Sequence, residues 1–396
     1  MTLADRFPGE LLSQPLPARL AYFQDKVIAH PRLKEAHHAL LNAIRRPVGA
    51  SLILVFGPTG VGKTTLRLRI EQQLIAEAWP DLETDRGRIP VAGLEAIAPE
   101  SGRFNWRDYY ARALMVLDEP LMKHKIDYGV RGVRRDGSGR LVIRPETVHL
   151  GLRRALEQCL RHRRLTAFFV DEAQHLKKVA GGRHLLDQMD TLKSLAGATG
   201  VLHVLIGTYE LLGLANLSAQ LSRRSIEIHF PRYRPDCAED WVAFKSVLLT
   251  FQRHLPLAEE PDLVGRCEYF YERSVGCVGV LKTWLNRALA AALESGQETL
   301  TPSHVERHAE PTRKLLRMAR EIKEGEEASL DRPEERSELR TLLGLDREAD
   351  HASVAGTDGM EPQPRAAPGS RRRSSNNRVG QRKPVRDPVG TPEHAG

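Results

Sequence analysis

Long apolar runs are missing from this sequence: no stretch approaches the roughly 18 consecutive apolar residues of a membrane-spanning helix. No membrane partner is therefore expected. The opening Met1-Thr2-Leu3-Ala4-Asp5-Arg6 lacks the charged-then-apolar layout of a secretory signal, which predicts a cytoplasmic protein. Cysteine is scarce. The four present, Cys159, Cys237, Cys267 and Cys277, include no C-x-x-C pair, a pattern that argues against both a zinc site and a disulfide framework. His304 and His308 lie one helical turn apart without a third ligand, so they are read as solvated. What the chain does have is 396 residues at 41% hydrophobic, enough for two domains plus tails. A net charge of +8 and an isoelectric point near 9.4 suit a nucleic-acid partner, although charge alone says only that polyanions are attracted.

The most informative stretch is Gly57-Pro58-Thr59-Gly60-Val61-Gly62-Lys63-Thr64, with Thr65 beside it, directly after the apolar run Leu52–Phe56. It reads G-x-x-x-x-G-K-[ST], a P-loop. Glycines let successive backbone N–H groups turn around phosphate oxygens, Lys63 reaches the β- and γ-phosphates, and the Thr64 hydroxyl ligates Mg²⁺ at a helix N-terminus. ATP and Mg²⁺ are the cofactors so implied. A matching carboxylate is expected after a buried parallel strand, and Thr166-Ala167-Phe168-Phe169-Val170-Asp171-Glu172 supplies it. Asp171 would hold the Mg²⁺ shell opposite Thr64, and Glu172 would polarise the attacking water. A second candidate, Leu114-Met115-Val116-Leu117-Asp118-Glu119, continues a helix-period segment and stops at Pro120, so it is read as a decoy.

Before the P-loop, residues 31–44 have the period of an amphipathic helix opened by Pro31, and Ile28, His30 and Pro31 are candidate adenine contacts against plain packing on the sheet. Between the two phosphate-site strands, Asp136-Gly137 flanked by alternating apolar and basic residues predicts a hairpin near 128–143. Its Arg131, Arg134, Arg135 and Arg140 are candidate contacts to a DNA backbone, or else a solvated loop without an aromatic to stack bases. Later, Val201-Leu202-His203-Val204-Leu205-Ile206-Gly207-Thr208 is a buried strand whose terminal Thr208 could sense a water or γ-phosphate. Arg223 and Arg224 stand at a predicted helix end before another strand, where either one could act on a neighbouring subunit's nucleotide or merely complement the helix dipole. From Asp236 the pattern is all-helical. Lys282, near the start of its glycine-opened helix, could reach back to the nucleotide or be a surface lysine. Beyond residue 324 the composition turns charged and then Pro-, Gly-, Ser- and Arg-rich, predicting a disordered basic tail over 325–396.

This succession resembles the AAA+ ATPases. The lead-in Leu20-Ala21-Tyr22-Phe23 and His30-Pro31-Arg32-Leu33, the run Asp171-Glu172-Ala173-Gln174-His175-Leu176, Ile206-Gly207-Thr208 and residues 276–285 look like the transposon target-selection ATPases of the TniB/TnsC kind. The resemblance covers roughly residues 15–315. It implies an α/β AAA+ P-loop NTPase with a parallel sheet and a C-terminal helical lid: a lead-in over 1–50, an ATPase core over 51–235, a lid over 236–324 and the tail. It also implies ATP-dependent homo-oligomerisation, as a ring or filament, on double-stranded DNA in a bacterial cytoplasm. A transposase and a target-selector protein would be the partners, with hydrolysis driving disassembly. By position, Lys63, Thr64, Asp171, Glu172 and Thr208 match the family's ATPase motifs. Arg223 or Arg224 matches its arginine finger, and Lys282 matches its second sensor, where many AAA+ proteins carry Arg. Other readings remain open: an AAA+ ATPase of replication initiation, secretion or partition, a nucleotide-gated scaffold with little turnover, or a small-molecule kinase.

Overall fold

Five apolar residues in a row, Leu52–Phe56, have no polar side to give to water, so a strand made of them must be covered on both faces. In the computed structural model all five are buried, as β1. The structure describes residues 6–99, 104–119, 133–135, 138, 141–143, 145–177, 182–215, 223–330 and 332–345. It divides into two units, Met1–Leu330 and Asp331–Gly396. In the first unit, β1 joins β2 (Val91–Glu95), β5 (Ala167–Asp171), β6 (Leu202–Gly207) and β7 (Ser225–His229) in a parallel sheet of order β2-β5-β6-β1-β7. Strand side chains alternate between the faces. Leu52, Leu54, Phe56, Phe168, Val170 and Leu205 pack on one side beneath α4 (Trp106–Val116), α5 (Pro145–His162) and α6 (Gly182–Thr199). Ile53, Val55, Phe169, Val204 and Ile206 pack on the other beneath α2 (Pro31–Arg45) and α3 (Lys63–Thr84). A single turn of helix, α7 (Leu212–Ala215), comes after β6. The rejected Asp118-Glu119 run ends α4, as its helical period requires, and Asp118 turns to φ +49° just past it.

The predicted hairpin is present as β3 (Val133–Arg135) and β4 (Leu141–Ile143), antiparallel, with Arg134 opposite Val142 and Arg135 opposite Leu141. Arg131 and Arg140 lie outside the described residues.

A separate helical core holds Phe244, Phe251, Phe270, Trp284, Leu285 and Leu289. It is built by α8 (Ala238–His254), α9 (Cys267–Ser274), α10 (Val278–Glu294) and α11 (Pro302–Arg307). The segment ahead of the P-loop splits between the two cores. Phe23 of α1 (Leu16–Asp25) is buried in the helical core against Phe251, whereas α2 covers the sheet. His304 bonds to Thr301 and Ser295 hydroxyls at 2.8 and 3.2 Å. No helix among the described residues is long and apolar enough to cross a membrane.

The expectation of a disordered chain from 325 needs correction. Helix α12 (Thr312–Ala328) runs past that point with Leu315, Ile322 and Gly325 buried, and α13 (Pro333–Leu342) comes next with no buried residue. Composition averages over all faces of a helix, so it hid the narrow apolar stripe of α12. In α13, Pro333 at the first turn, Glu334 and Glu335 behind it and Arg340 in the last turn match the helix dipole. Residues 346–396 lie outside the described residues.

Candidate nucleotide-binding site

The C-terminal ends of β1 and β5 lie on one edge of the sheet, with β6 running parallel between them, and the segments leaving these strands meet there. After β1 the loop turns through Gly60 at φ +85° and Gly62 at φ +109°, conformations that glycine adopts without strain. Helix α3 starts at Lys63 with Gly62 as its N-cap and no side-chain cap, so its first backbone N–H groups point into the loop uncapped. A Cβ placed on Gly62 would meet nothing within 4 Å, which leaves the cradle of the loop open. Lys63 is 8% exposed and donates to the carbonyls of Gly57 at 2.9 Å and Pro58 at 2.8 Å. Burial pushes its pKa down to about 8, opposed by the charges of Glu172 and Asp171.

Opposite the loop, the Thr64 hydroxyl donates to Asp171 Oδ2 at 3.0 Å, and Asp171 Oδ1 accepts the Glu172 N–H at 3.0 Å. Glu172 takes φ +51°, a region L-residues enter only under constraint. The constraint is partly Gln174, on the 3-10 turn Ala173–Lys177. Its Nε2 donates to Glu172 Oε2 and its Oε1 accepts the Thr208 N–H at 3.2 Å. Gly207 makes room, since a Cβ there would come within 2.3 Å of Gln174 Oε1. Thr208 Oγ1 is buried without a hydrogen-bond partner. Beside it opens a cavity of about 460 Å³ shared by Pro58, Thr59 and Thr208, with Met318, Ile322 and Gly325 of α12 as the opposing wall. Uncapped N–H groups, a buried ammonium resting on carbonyls, an orphaned hydroxyl and a Thr–Asp pair fit a nucleoside triphosphate with a divalent cation.

Two residues of this site escaped sequence reading. Gln174 stands two positions past Glu172, a spacing with no meaning until the 3-10 turn folds it back. Arg67, on α3, belongs to no motif of the sequence, yet its Nε lies 3.4 Å from Asp171 Oδ2.

Lys282 does not sit on the P-loop. Its Nζ donates to the Gln24 carbonyl at 2.5 Å, at the end of α1, and burial lowers its pKa against the opposing charge of Asp25. What α10 sends to the loop is backbone: Gly279 N–H donates to Gly60 O at 2.7 Å. Lys282 is the fifth residue of α10, where that helix packs on α1, and the end of α1 captured its ammonium. His30, an adenine candidate by sequence, is 5% exposed, with its Nδ1 accepting from the Tyr233 hydroxyl at 3.0 Å and the Leu33 N–H at 3.3 Å. It therefore caps α2 and joins α2 to the chain after β7.

Arg223 and Arg224 are exposed in the turn before β7. The Arg224 carbonyl accepts from Ser51 and Leu52 N–H at 2.9 and 3.2 Å, at the start of β1. That is the opposite edge of the sheet from the P-loop, roughly 16 Å of strand away. The backbone of the pair is thus placed at the end of β1 away from its own P-loop.

Residues 45–214 match the family described as AAA domain, a span that takes in the P-loop, Asp171, Glu172 and Thr208 but ends before Arg223 and the helical core. No curated protein matches. Similar solved structures include the Aeropyrum pernix ORC2 protein in its ADPNP–ADP complexes, at 16% identity and TM-score 0.48, covering 74% of this chain and 73% of that one. The Aeropyrum pernix ORC1 protein in complex with DNA aligns at 20% identity and TM-score 0.48, over 73% of this chain and 68% of that one. Domain III of the Thermotoga maritima replication initiation protein DnaA aligns at 14% identity and TM-score 0.40, over 76% and 97%. With the P-loop, the Asp-Glu strand end and the parallel sheet in place, residues 45–214 form an AAA domain, and the protein is an ATPase of the AAA+ α/β fold.

Proposed function

We propose that this chain is an ATP-gated regulatory ATPase that assembles on double-stranded DNA. The observation that carries this reading is the meeting of Lys63, Thr64, Asp171, Glu172 and Thr208 at one edge of the sheet, while Arg223 and Arg224 stand at the other. Residues 57–65 would hold the triphosphate, and Thr64 with Asp171 would hold Mg²⁺. Mg²⁺ bound there supplies charge neutralisation at the β- and γ-phosphates. Lys63 turns from the Gly57 and Pro58 carbonyls toward phosphate oxygens. Glu172 leaves the Gln174 amide, orients a water and takes its proton. Thr208 offers its unpartnered hydroxyl. An arginine at the far edge cannot serve its own site, so Arg223 or Arg224 would complete a neighbour's, which makes turnover depend on assembly.

Net positive charge, the hairpin that carries Arg134 and Arg135, and Arg131 and Arg140 close to those strands in sequence support a nucleic-acid backbone as the template for that assembly. Two settings suit such a switch. One is an initiator-like role, as the name of the Thermotoga maritima replication initiation protein DnaA describes for that protein. The other, implied by the motif resemblance, links a target-site selector to a transposase.

The test is electron-microscopic imaging with duplex DNA under ADP and under a non-hydrolysable ATP analogue. Rings or filaments on DNA only with the analogue are expected, and Glu172→Gln should hold the same assemblies with ATP itself while turnover falls at least 100-fold. Monomers under both nucleotides would sink the reading.

A further inference from the structure

Thr64, Arg67 and Glu71 recur at three- and four-residue spacing on α3, so they share the face that looks onto β5 and β2. The Arg67 guanidinium lies between two carboxylates. Nη1 donates to Glu71 Oε1 at 3.1 Å, and Nε stands 3.4 Å from Asp171 Oδ2, the oxygen that also accepts the Thr64 hydroxyl at 3.0 Å. The side chains of Arg67, Glu71 and Asp171 are only 16, 17 and 6% exposed. Space for the pair is cut into the sheet at Gly93 of β2, where a Cβ would come within 2.6 Å of Arg67 Nη1, 2.4 Å of Glu71 Oε1 and 3.1 Å of Phe169 Cβ. Nε makes no hydrogen bond, so its approach to Asp171 is one of charge without directional fit. An exposed surface pair would need neither the burial nor the missing side chain at 93.

We propose that Arg67 is a tethered cation that compensates Asp171 when no metal is bound, competes with Mg²⁺ for that carboxylate, and withdraws onto Glu71 as the metal enters. The proposal rests on the reading of this site as one for Mg·ATP. A carboxylate as buried as Asp171 is costly without a countercharge, and a guanidinium cannot relieve the conflict by losing its proton. A divalent cation beside the same oxygen repels the guanidinium at short range. Glu71, on the next turn of the same helix, offers a second partner already within bonding distance. Arg67 thereby sets how much Mg²⁺ the site demands. It is a positioning residue that acts through Asp171.

The experiment is a titration of free Mg²⁺ against binding of a fluorescent ATP analogue to the full chain, repeated with Mn²⁺ read by electron paramagnetic resonance. Arg67→Met removes the competitor and should lower the half-saturating metal concentration about fivefold or more. Glu71→Gln removes the retreat and should raise it severalfold. At saturating Mg²⁺ both variants should bind nucleotide as the wild type does. An unmoved midpoint in Arg67→Met with normal nucleotide binding, or shifts of the same sign in both variants, would overturn the proposal alone. Failure of the wild type to bind nucleotide at any Mg²⁺ concentration would overturn the ATP-site reading and this proposal with it. Should Arg67→Met not fold, Glu71→Gln still decides the matter, since a lowered or unchanged midpoint there contradicts a competing cation.

Discussion

Glu172 is held in a conformation it would not choose. Its φ of +51° carries a strain of roughly 1–3 kcal/mol, sustained by the Asp171 carboxylate on its N–H and the Gln174 amide on its side chain. The same amide satisfies the Thr208 N–H, so the residue read as catalytic base and the residue read as sensor share one clamp. Buried histidines show a second effect of burial at this scale. His203, near the start of the central strand β6, and His30 both have pKa values lowered to about 4, His203 by burial against its bond to the Val201 carbonyl, His30 by burial and the charge of Arg69. Between pH 6.5 and 4 the unfolded chain binds the proton and the folded one does not, so stability rises with pH across that window and is lost as the pH falls through it. Each histidine should remove about 2 kcal/mol between pH 7 and pH 5. Urea unfolding at the two pH values checks this, and His203→Leu should flatten the dependence by about half if these two rings dominate it.

Among the elements, α10 and α12 matter most, because from outside the matched domain α10 bonds to the phosphate loop and α12 faces it across the cavity. Gly279 in the first turn of α10 lies against Gly60 so closely that a Cβ would come within 2.5 Å of the Gly60 carbonyl oxygen, a backbone atom that cannot rotate away. Gly279→Val should push α10 off the loop and weaken nucleotide binding about tenfold, read by calorimetry, while the helical core, whose side chains are untouched, keeps its thermal transition. Helix α12 is fastened twice: Gly325 is pressed against the Tyr209 ring, and Glu326 receives Arg232 Nε and Nη2 at 3.0 and 3.1 Å. Arg232 also donates to the Tyr271 hydroxyl at 2.7 Å, joining the chain after β7, the helical core and α12 in one network. Glu326→Ala should strand a half-buried guanidinium and lower unfolding free energy by about 2–3 kcal/mol, measurable by denaturant titration. No periodicity argument could reach the contacts of Gly279 and Gly325, since each depends on a glycine whose only function is to be absent at one point in space.

Across the whole molecule, the unit that ends at Leu330 contains both cores and every residue assigned to the nucleotide site. A chain ending at Leu330 should therefore unfold within a few degrees of the full chain and bind nucleotide equally well, by differential scanning fluorimetry and analogue binding. Much of this was legible from the amino acids alone. The P-loop, the Asp171-Glu172 strand end, the parallel sheet, the antiparallel hairpin and the rejection of Asp118-Glu119 all rest on local patterns, because phosphate cradles, buried strands and helix faces are written in spacings of a few residues. Tertiary structure decided the rest. It divided the lead-in between two cores, turned Lys282 onto Gln24, spent His30 on Tyr233 and Leu33, carried α12 past the expected boundary, and brought Gln174 and Arg67 to the carboxylates. Those outcomes depend on which surfaces meet across long stretches of chain, where packing and the pairing of buried charge outweigh anything a residue's neighbours in sequence can specify.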